Sequence, residues 1–204
     1  MPFRLPFWPT LVVLGALLGL VAGLMAGGLW PETPLHAMAS DRTENFVLAT
    51  GQVDGNCEAV YFLDGLSGTL NAGVLSNATR SFQARYTASV ASDLTRAIKF
   101  LNKNMQAGGS SSRHGAAPPP PEIELPKNPH FLMVTGNVDI RRGFAGREKP
   151  SVAAIYVAET TTGIVIAYLV PWDASSHVAN MPVQGQLLPQ AFNQFSAPVI
   201  AAGG

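Results

Sequence analysis

Cysteine is almost absent from this chain, because Cys57 is the only one among 204 residues. A lone cysteine excludes an internal disulfide framework and a cysteine-based metal site. We expect Cys57 to behave as a small, half-buried hydrophobic side chain. An intermolecular disulfide is the less favoured alternative.

Charged residues are also scarce, at 13% of the chain, and the 13 basic residues balance the 13 acidic ones. A nucleic-acid-binding domain normally carries a basic patch or an excess of positive charge. The composition therefore favours a protein without a nucleic-acid partner.

The sequence lacks the common catalytic and metal-binding patterns. No serine lies in a G-x-S-x-G elbow, and no glycine-rich loop has the lysine and following helix of a phosphate-binding loop. No two histidines are spaced as metal ligands on one helix face would be. The histidines are His36, His114, His130 and His177. We therefore expect no enzymatic activity, no cofactor and no metal site.

No charged residue occurs in the apolar segment from Thr10 to Trp30. At 1.5 Å per residue, a helix of this length spans about 30 Å, which matches the hydrocarbon core of a bilayer. The sequence therefore predicts a transmembrane anchor over residues 1–31 and a juxtamembrane segment over 32–45, with membrane lipid as a partner.

Glycines recur at every fourth position of this predicted helix and form one smooth ridge. They are Gly15, Gly19, Gly23 and Gly27. Small residues at this spacing let two helix backbones approach closely in lipid. We expect a homo-oligomer that associates through this ridge. The alternative is that glycine is simply common in membrane helices.

A cleaved secretory signal is the alternative to a retained anchor. Ala37-Met38-Ala39 has the small-x-small form of a signal-peptidase site, but the apolar run is longer than a usual signal. Arg4 is the only positively charged side chain before the helix, so the positive-inside rule places that end in the cytoplasm. We expect a single-pass cell-membrane protein with an extracytoplasmic domain, or a secreted protein if cleavage follows Ala39.

Residues 46–173 contain an internal repeat, with one copy at 46–76 and the other at 131–172. FVLATGQVD, which begins at Phe46, and FLMVTGNVD, which begins at Phe131, are identical at five of nine positions. Each copy has three β-rich runs, and a glycine marks the turn between the second and third. The runs are apolar at odd and even positions alike, which is typical of strands covered on both faces.

An amphipathic helix is predicted between the copies, over residues 82–105. Its apolar side chains fall on one third of the helical wheel. The opposite side carries Arg85, Arg96, Lys99 and Lys103. The predicted fold is therefore α+β: a transmembrane helix, then an antiparallel sheet in the order βββ-α-βββ packed by one helix.

Two segments are not expected to pack. Residues 106–129 are rich in Gly, Ser and Pro, which indicates a flexible linker. Residues 174–204 contain no Asp, Glu, Lys or Arg, and we expect this tail to be poorly ordered.

Carboxylates occupy equivalent positions in the two copies. The pairs are Asp54 with Asp139, and Asp64 with Glu159. Paired acids can serve as general acid and base. Here the duplication itself explains the pairing, and an acidic residue after a strand commonly binds the backbone of a turn. We interpret these side chains as turn residues.

The second copy carries an inserted basic loop that the first copy lacks. Its predicted partner-binding residues are Arg141, Arg142, Phe144, Arg147 and Lys149. Loops displayed by a sheet often bind partners, and arginine suits carboxylate or phosphate groups. A mobile, solvated loop is the alternative.

Four stretches cover both copies and the segment before them: PETPLHAMASDRTENFVLATG, EAVYFLDGLSGTL, NPHFLMVTGNVDIRRG and SVAAIYVAETTTGIVIAYLVPW. In these stretches the chain resembles an uncharacterised group of single-span membrane proteins from planctomycete-type bacteria. The resemblance implies an anchored protein with one folded domain, and it implies no activity.

Two functions fit these features. The first is a membrane-anchored, non-enzymatic interaction or assembly module, which self-associates through its helix and binds a protein partner with the sheet or the basic loop. The alternative is a small-ligand sensor or carrier with a pocket between helix and sheet.

Overall fold

A computed structural model describes residues 12–20, 23, 40–109, 121–140 and 146–196. The chain divides into two compact units, Met1–His36 and Ala37–Gly204. The first unit contains helix α1 at residues 12–20, and Gly23 is also helical. The second unit contains the strands and the remaining helices.

The prediction of a transmembrane anchor over residues 1–31 is wrong. The nine residues of α1 rise only about 13 Å, less than half of a bilayer core. No helix within the described ranges is both long enough and apolar enough to cross a membrane. The single-pass membrane localisation that depended on this anchor is therefore overturned. The proposed cleavage motif before Ser40 lies outside the described residues.

The three strands of the first repeat form the centre of a six-stranded sheet. Its strands are β1 (Ser40–Arg42), β2 (Phe46–Asp54), β3 (Cys57–Asp64), β4 (Thr69–Leu75), β5 (Phe82–Ser89) and, from the tail, β11 (Val183–Gln186). They lie in the order β1-β2-β3-β4-β5-β11, and only the β5–β11 pair is parallel. Helix α2 (Val90–Gly109) follows β5 directly.

Three strands of the second repeat and one strand from the tail build a four-stranded sheet. Its strands are β6 (Phe131–Asn137), β8 (Ala153–Glu159), β9 (Ile164–Leu169) and β12 (Leu188–Gln194), in the order β12-β9-β8-β6. Two short strands, β7 (Lys149–Pro150) and β10 (Pro171–Trp172), pair with each other, and helix α3 (Ala174–Val178) follows them.

One hydrophobic core joins the two sheets and α2. Strand alternation turns every second side chain inward, so that Tyr61 and Leu63 of β3 lie in the same buried cluster as Ile166 of β9. Helix α2 adds Leu94 and Ile98 to this cluster. The helix thus buries its apolar stripe against strands from both sheets.

The two sheets approach each other closely at β2 and β6. The Thr135 hydroxyl donates a hydrogen bond to the Thr50 carbonyl oxygen at 2.5 Å. A Cβ added to Gly51 would lie 3.0 Å from the Thr135 side chain, so glycine permits this approach. The repeats are therefore packed side by side as parts of one domain.

The predicted single sheet packed by one helix is also wrong. The described chain is mostly sheet, and the two repeats contribute to separate sheets. The predicted helix over 82–105 includes β5, and the observed helix begins at Val90. Phe82 and Tyr86 are four residues apart and so fit a helical stripe, but tertiary pairing with β4 decides the structure of this segment.

Two segments expected to be unstructured contribute to the fold. The tail, predicted to be poorly ordered over 174–204, contains α3, β11 and β12 in its described part. Within the predicted linker 106–129, Ile123 is buried, and its backbone N–H and carbonyl both bond to the Asn102 side chain. The tail therefore forms strands although it lacks charged residues, and the proline-rich linker still packs Ile123 into the fold.

Candidate functional site

The side of the six-stranded sheet that faces away from the core carries a group of large apolar side chains. We call this side the outer face. Its exposed apolar residues are Phe46, Leu48, Phe62, Leu75 and Phe82. In β3, Tyr61 and Leu63 are fully buried, whereas Phe62 between them is 41% exposed. The sequence signal for this face was the apolar character of the strands at both odd and even positions.

A groove of about 520 Å³ crosses the outer face over β3, β4, β5 and β11. Strand register places Val60, Gly73, Arg85 and Gln184 in one row across these strands. All four residues line the groove, together with Phe62 of the neighbouring row. The groove is open and shallow, as expected for a surface that receives an extended partner rather than an enclosed small molecule.

Aromatic rings form the apolar parts of the outer face. The rings of Phe46 and Phe62 are stacked, with centroids 5.4 Å apart. The Phe82 ring lies over Gly73, where an added Cβ would come within 2.9 Å of the ring. Glycine at this position therefore lets an aromatic ring lie flat on the sheet and extends the apolar surface to β5.

Charge on the outer face is separated by sign. Arg85 of β5 is exposed and lines the groove, and within the described part of the chain its guanidinium has no ion-pair or hydrogen-bond partner. Asp41 lies on the edge strand β1, where it pairs with Leu48, and Glu58 lies on β3, where it pairs with Gln52 of β2. The positive charge is therefore on β5, and the negative charges are on β1 and β3.

A second groove of about 280 Å³ continues from the first beyond β5. The two grooves share Phe82, Arg85 and Gln184. Gln83 lines the second groove, because the register shift between Val74 and Leu75 makes it the extra residue of a bulge. Gln83 is 92% buried, and neither polar atom of its carboxamide has a partner in the described structure.

The Cys57 thiol and the His177 imidazole lie next to each other in the fold. The Cys57 sulfur at the start of β3 lies 3.9 Å from Nε2 of His177 in α3. The His177 ring packs on Trp172, with centroids 5.0 Å apart, and the Trp172 indole N–H donates to the Asp54 carboxylate at 3.3 Å. Sequence reasoning missed this cluster, because its members are far apart in the chain.

The Cys57 and His177 pair is poorly suited to nucleophilic catalysis. Burial raises the pKa of the Cys57 thiol, and the carboxylates of Asp54 and Glu58 raise this pKa further. The thiolate, which is the reactive form, is therefore disfavoured at neutral pH. Among the residues that the structure describes, Nδ1 of His177 is buried without a partner, so none of them orients the imidazole as the third group of a triad would. No group of three or more metal-binding side chains occurs among the described residues.

The predicted basic loop is only partly described. Arg141, Arg142 and Phe144 lie outside the described residues. Arg147 forms an ion pair with the Asp173 carboxylate at 3.0 Å and donates to the Ser175 hydroxyl, so it is bound to the start of α3. Lys149 is exposed in β7 and pairs in register with Trp172. The partner-binding role of this loop stays a prediction.

The predicted glycine ridge is also only partly described. Gly15, Gly19 and Gly23 are helical, and an added Cβ at each would meet no heavy atom within 4 Å. Gly27 lies outside the described residues. Association through this ridge stays a prediction.

The interpretation of the paired acids as turn residues is confirmed for one pair. The Asp64 carboxylate accepts from the backbone N–H groups of Leu66 and Ser67. Glu159 accepts from the backbone N–H groups of Thr161 and Thr162 in the equivalent turn. Both carboxylates are thus occupied in stabilising a hairpin.

No protein-family model, no curated protein and no solved structure matches this chain. The resemblance to single-span proteins of planctomycete-type bacteria therefore stays a prediction.

Proposed function

We propose that this chain is a non-catalytic interaction module whose binding surface is the outer face of the six-stranded sheet. The observation that carries the proposal is the run of exposed aromatic side chains at Phe46, Phe62 and Phe82 on one continuous sheet face. Contiguous exposed apolar surface of this kind marks interaction sites in folded proteins.

The aromatic composition of the face supports this proposal. Tyr, Trp, Phe and Arg are enriched where protein interfaces bind most strongly. The groove on the outer face combines Phe62, Phe82 and Arg85. The Cys57 and His177 pair offers a protonated thiol and an unoriented imidazole, which favours binding over catalysis as the role of the domain.

The small-ligand alternative is supported by a polar groove of about 380 Å³ between the start of α2 and strands β5 and β11. Its charged groups are already satisfied, because Asp93 pairs with Arg96 and accepts a hydrogen bond from the Tyr168 hydroxyl at 2.9 Å. The apolar stripe of α2 packs into the core. The outer face therefore carries the stronger proposal.

A matched pair of double variants tests the proposal. Phe62→Ser with Phe82→Ser changes the outer face at side chains that are 41% and 48% exposed. Leu132→Ser with Val134→Ser changes the other sheet at side chains that are 41% and 54% exposed. Both variants are expected to fold, because neither removes a buried side chain.

Proteins retained by the immobilised wild-type chain would be identified by mass spectrometry and purified. Each would then be titrated against three chains: the wild type and the two double variants. We expect at least one purified partner whose dissociation constant rises about tenfold or more for the Phe62 and Phe82 variant only, as truncation of an interface hot spot predicts. Equal affinity for all three chains, or loss with only the Leu132 and Val134 variant, would place binding elsewhere and refute the proposal.

A further inference from the structure

The positive end of the outer face has two unsatisfied polar side chains of different chemistry. Arg85 presents a guanidinium with no partner in the described structure, and Gln83 presents a buried carboxamide with none. They lie two positions apart on β5 and line two grooves that share Phe82, Arg85 and Gln184. This arrangement identifies the chemistry of a ligand more narrowly than the apolar surface does alone.

The ligand group that best matches the Arg85 guanidinium is a carboxylate. A guanidinium matches a carboxylate through two parallel hydrogen bonds. Asp41 and Glu58 on the same face would repel a second acid near them, so a ligand with one carboxylate places it at the β5 end. Phe62 and Phe82 line the groove beside Arg85, so apolar groups must flank that carboxylate.

The ligand group that best matches the Gln83 carboxamide both donates and accepts a hydrogen bond. Leaving both atoms of a buried carboxamide unpaired costs free energy, which a ligand can recover by pairing with them. A peptide unit has an N–H donor and a carbonyl acceptor. An ionised fatty acid has no donor and would leave the Gln83 oxygen unpaired. The carboxamide therefore favours a peptide over a lipid-like carboxylate.

We propose that this groove binds an extended peptide segment of a partner protein, with an acidic side chain on Arg85, apolar side chains on Phe62 and Phe82, and a main-chain amide on Gln83. This inference rests on the proposed function and names its partner class. The occupant is a segment with an Asp or Glu flanked by apolar residues.

A displayed library of random nine-residue peptides provides the probe. The library is selected on the immobilised full chain, and enriched peptides are synthesised with blocked termini and titrated by fluorescence polarisation. We expect an acidic residue flanked by apolar ones in the enriched set. Replacing that Glu or Asp by its amide should weaken binding about tenfold to the wild-type chain and little to Arg85→Met, because the charge-assisted pairing with Arg85 is lost.

The Gln83→Leu variant separates a binding role from a structural one. Removing a buried, unpaired carboxamide is expected to leave the melting temperature unchanged or to raise it. Peptide affinity should nevertheless fall several-fold, because the main-chain amide loses its partner. If Gln83→Leu lowers the melting temperature and leaves affinity unchanged, Gln83 supports the fold and the peptide assignment is wrong.

Controls distinguish failure of this inference from failure of the proposed function. Lys103→Met removes an exposed charge on α2 and should not change peptide affinity. The enriched peptides could lack an acidic residue, lose affinity when Phe62 is replaced, and bind Arg85→Met as tightly as the wild-type chain. That result would refute this inference and leave the proposed interaction module intact. If no peptide binds better to the wild-type chain than to the Phe62 and Phe82 double variant, this inference fails, and the titration with purified partners decides the proposed function separately. Binding of decanoate but of no peptide would assign the groove to a lipid-like carboxylate.

Discussion

Asp64 in the first repeat and Glu159 in the second repeat end equivalent strands and precede equivalent glycine turns. The hydrogen bonds of Asp64 are exposed to solvent, whereas Glu159 is only 1% exposed. The turn glycines adopt the same left-handed conformation, with φ of 64° at Gly68 and 68° at Gly163. The same turn, built from an acidic residue and a left-handed glycine, thus has an exposed acid in the first repeat and a buried acid in the second.

Glu159 is the more constrained of the two acids. It accepts from the backbone N–H of His130 at 3.2 Å, from Thr161 at 3.1 Å, and from the Thr162 N–H and hydroxyl at 2.7 Å each. Burial acts to raise the pKa of Glu159, but the hydrogen bonds outweigh burial and the pKa is lowered. The negative form is therefore the one that the fold requires.

The two turns differ in what they contribute to the fold. In the second repeat the turn acid is buried and connects β6, through His130, to the β8–β9 hairpin. In the first repeat the turn stays exposed, and the sheet that it belongs to displays the aromatic outer face. The second repeat thus has the more structural role, and the first carries the proposed binding surface.

Replacing the turn acids is expected to give the largest difference in the free energy of unfolding between the two repeats. Glu159→Ala leaves three backbone N–H groups without their acceptor, so we expect a loss of about 3–5 kcal/mol in the free energy of unfolding. Asp64→Ala should cost much less, because water replaces the lost bonds. Urea unfolding of both variants measures the difference. Equal losses would show that the two turns are energetically equivalent.

The turn glycines give the next largest effect. An added Cβ at Gly163 would lie 2.6 Å from the Ser196 carbonyl oxygen, and at Gly68 it would lie 2.7 Å from the Ala91 Cβ. Both positions also need a left-handed backbone, so we expect Gly163→Ala and Gly68→Ala each to cost about 1–3 kcal/mol. Thermal unfolding checks this. Gly55→Ala, where an added Cβ meets nothing within 4 Å, is the control.

The buried acid should also make stability depend on pH. The folded pKa of Glu159 is lowered below its unfolded value of about 4.3. Its stabilising contribution is therefore complete above that unfolded pKa and is lost as pH falls through the folded pKa. We expect the melting-temperature gap between the wild-type chain and Glu159→Gln to be constant near neutral pH and to narrow in acid. A gap that widens in acid would contradict this assignment.

Substitutions on the outer face should have the smallest effect on stability. Phe62→Ser removes a half-exposed ring and is expected to change the free energy of unfolding by no more than about 1 kcal/mol. Leu63→Ala, at the fully buried neighbouring position, should cost about 2–5 kcal/mol. If both variants lose the same stability, Phe62 belongs to the core and the outer face is not free to bind.

The repeat in the sequence located six of the twelve strands in the described residues, because glycine turns and β-rich runs are local signals. The start of α2 could not be located, since Phe82 and Tyr86 satisfy helical spacing and strand alternation alike. Strands β11 and β12 were missed, because their pairing with β5 and β9 is a tertiary effect in a segment of weak local preference.

The candidate site was harder to predict than the strands. Arg85 was assigned to the polar side of a helix, but it lies in β5 and reaches the outer face. The bulge that buries Gln83 depends on the register of β4 against β5, which no sequence pattern specifies. Cys57 and His177 meet only because α3 packs near the start of β3.

A nuclear magnetic resonance titration shows whether the outer face is the binding surface. The isotope-labelled chain would be titrated with its tightest-binding peptide from the library, and backbone amide shifts followed. We expect the largest changes on β3, β4, β5 and β11, around Phe62, Gly73 and Arg85, and small changes on β6 and β8. Changes concentrated on β6 and β8, or around Arg147, would contradict this expectation.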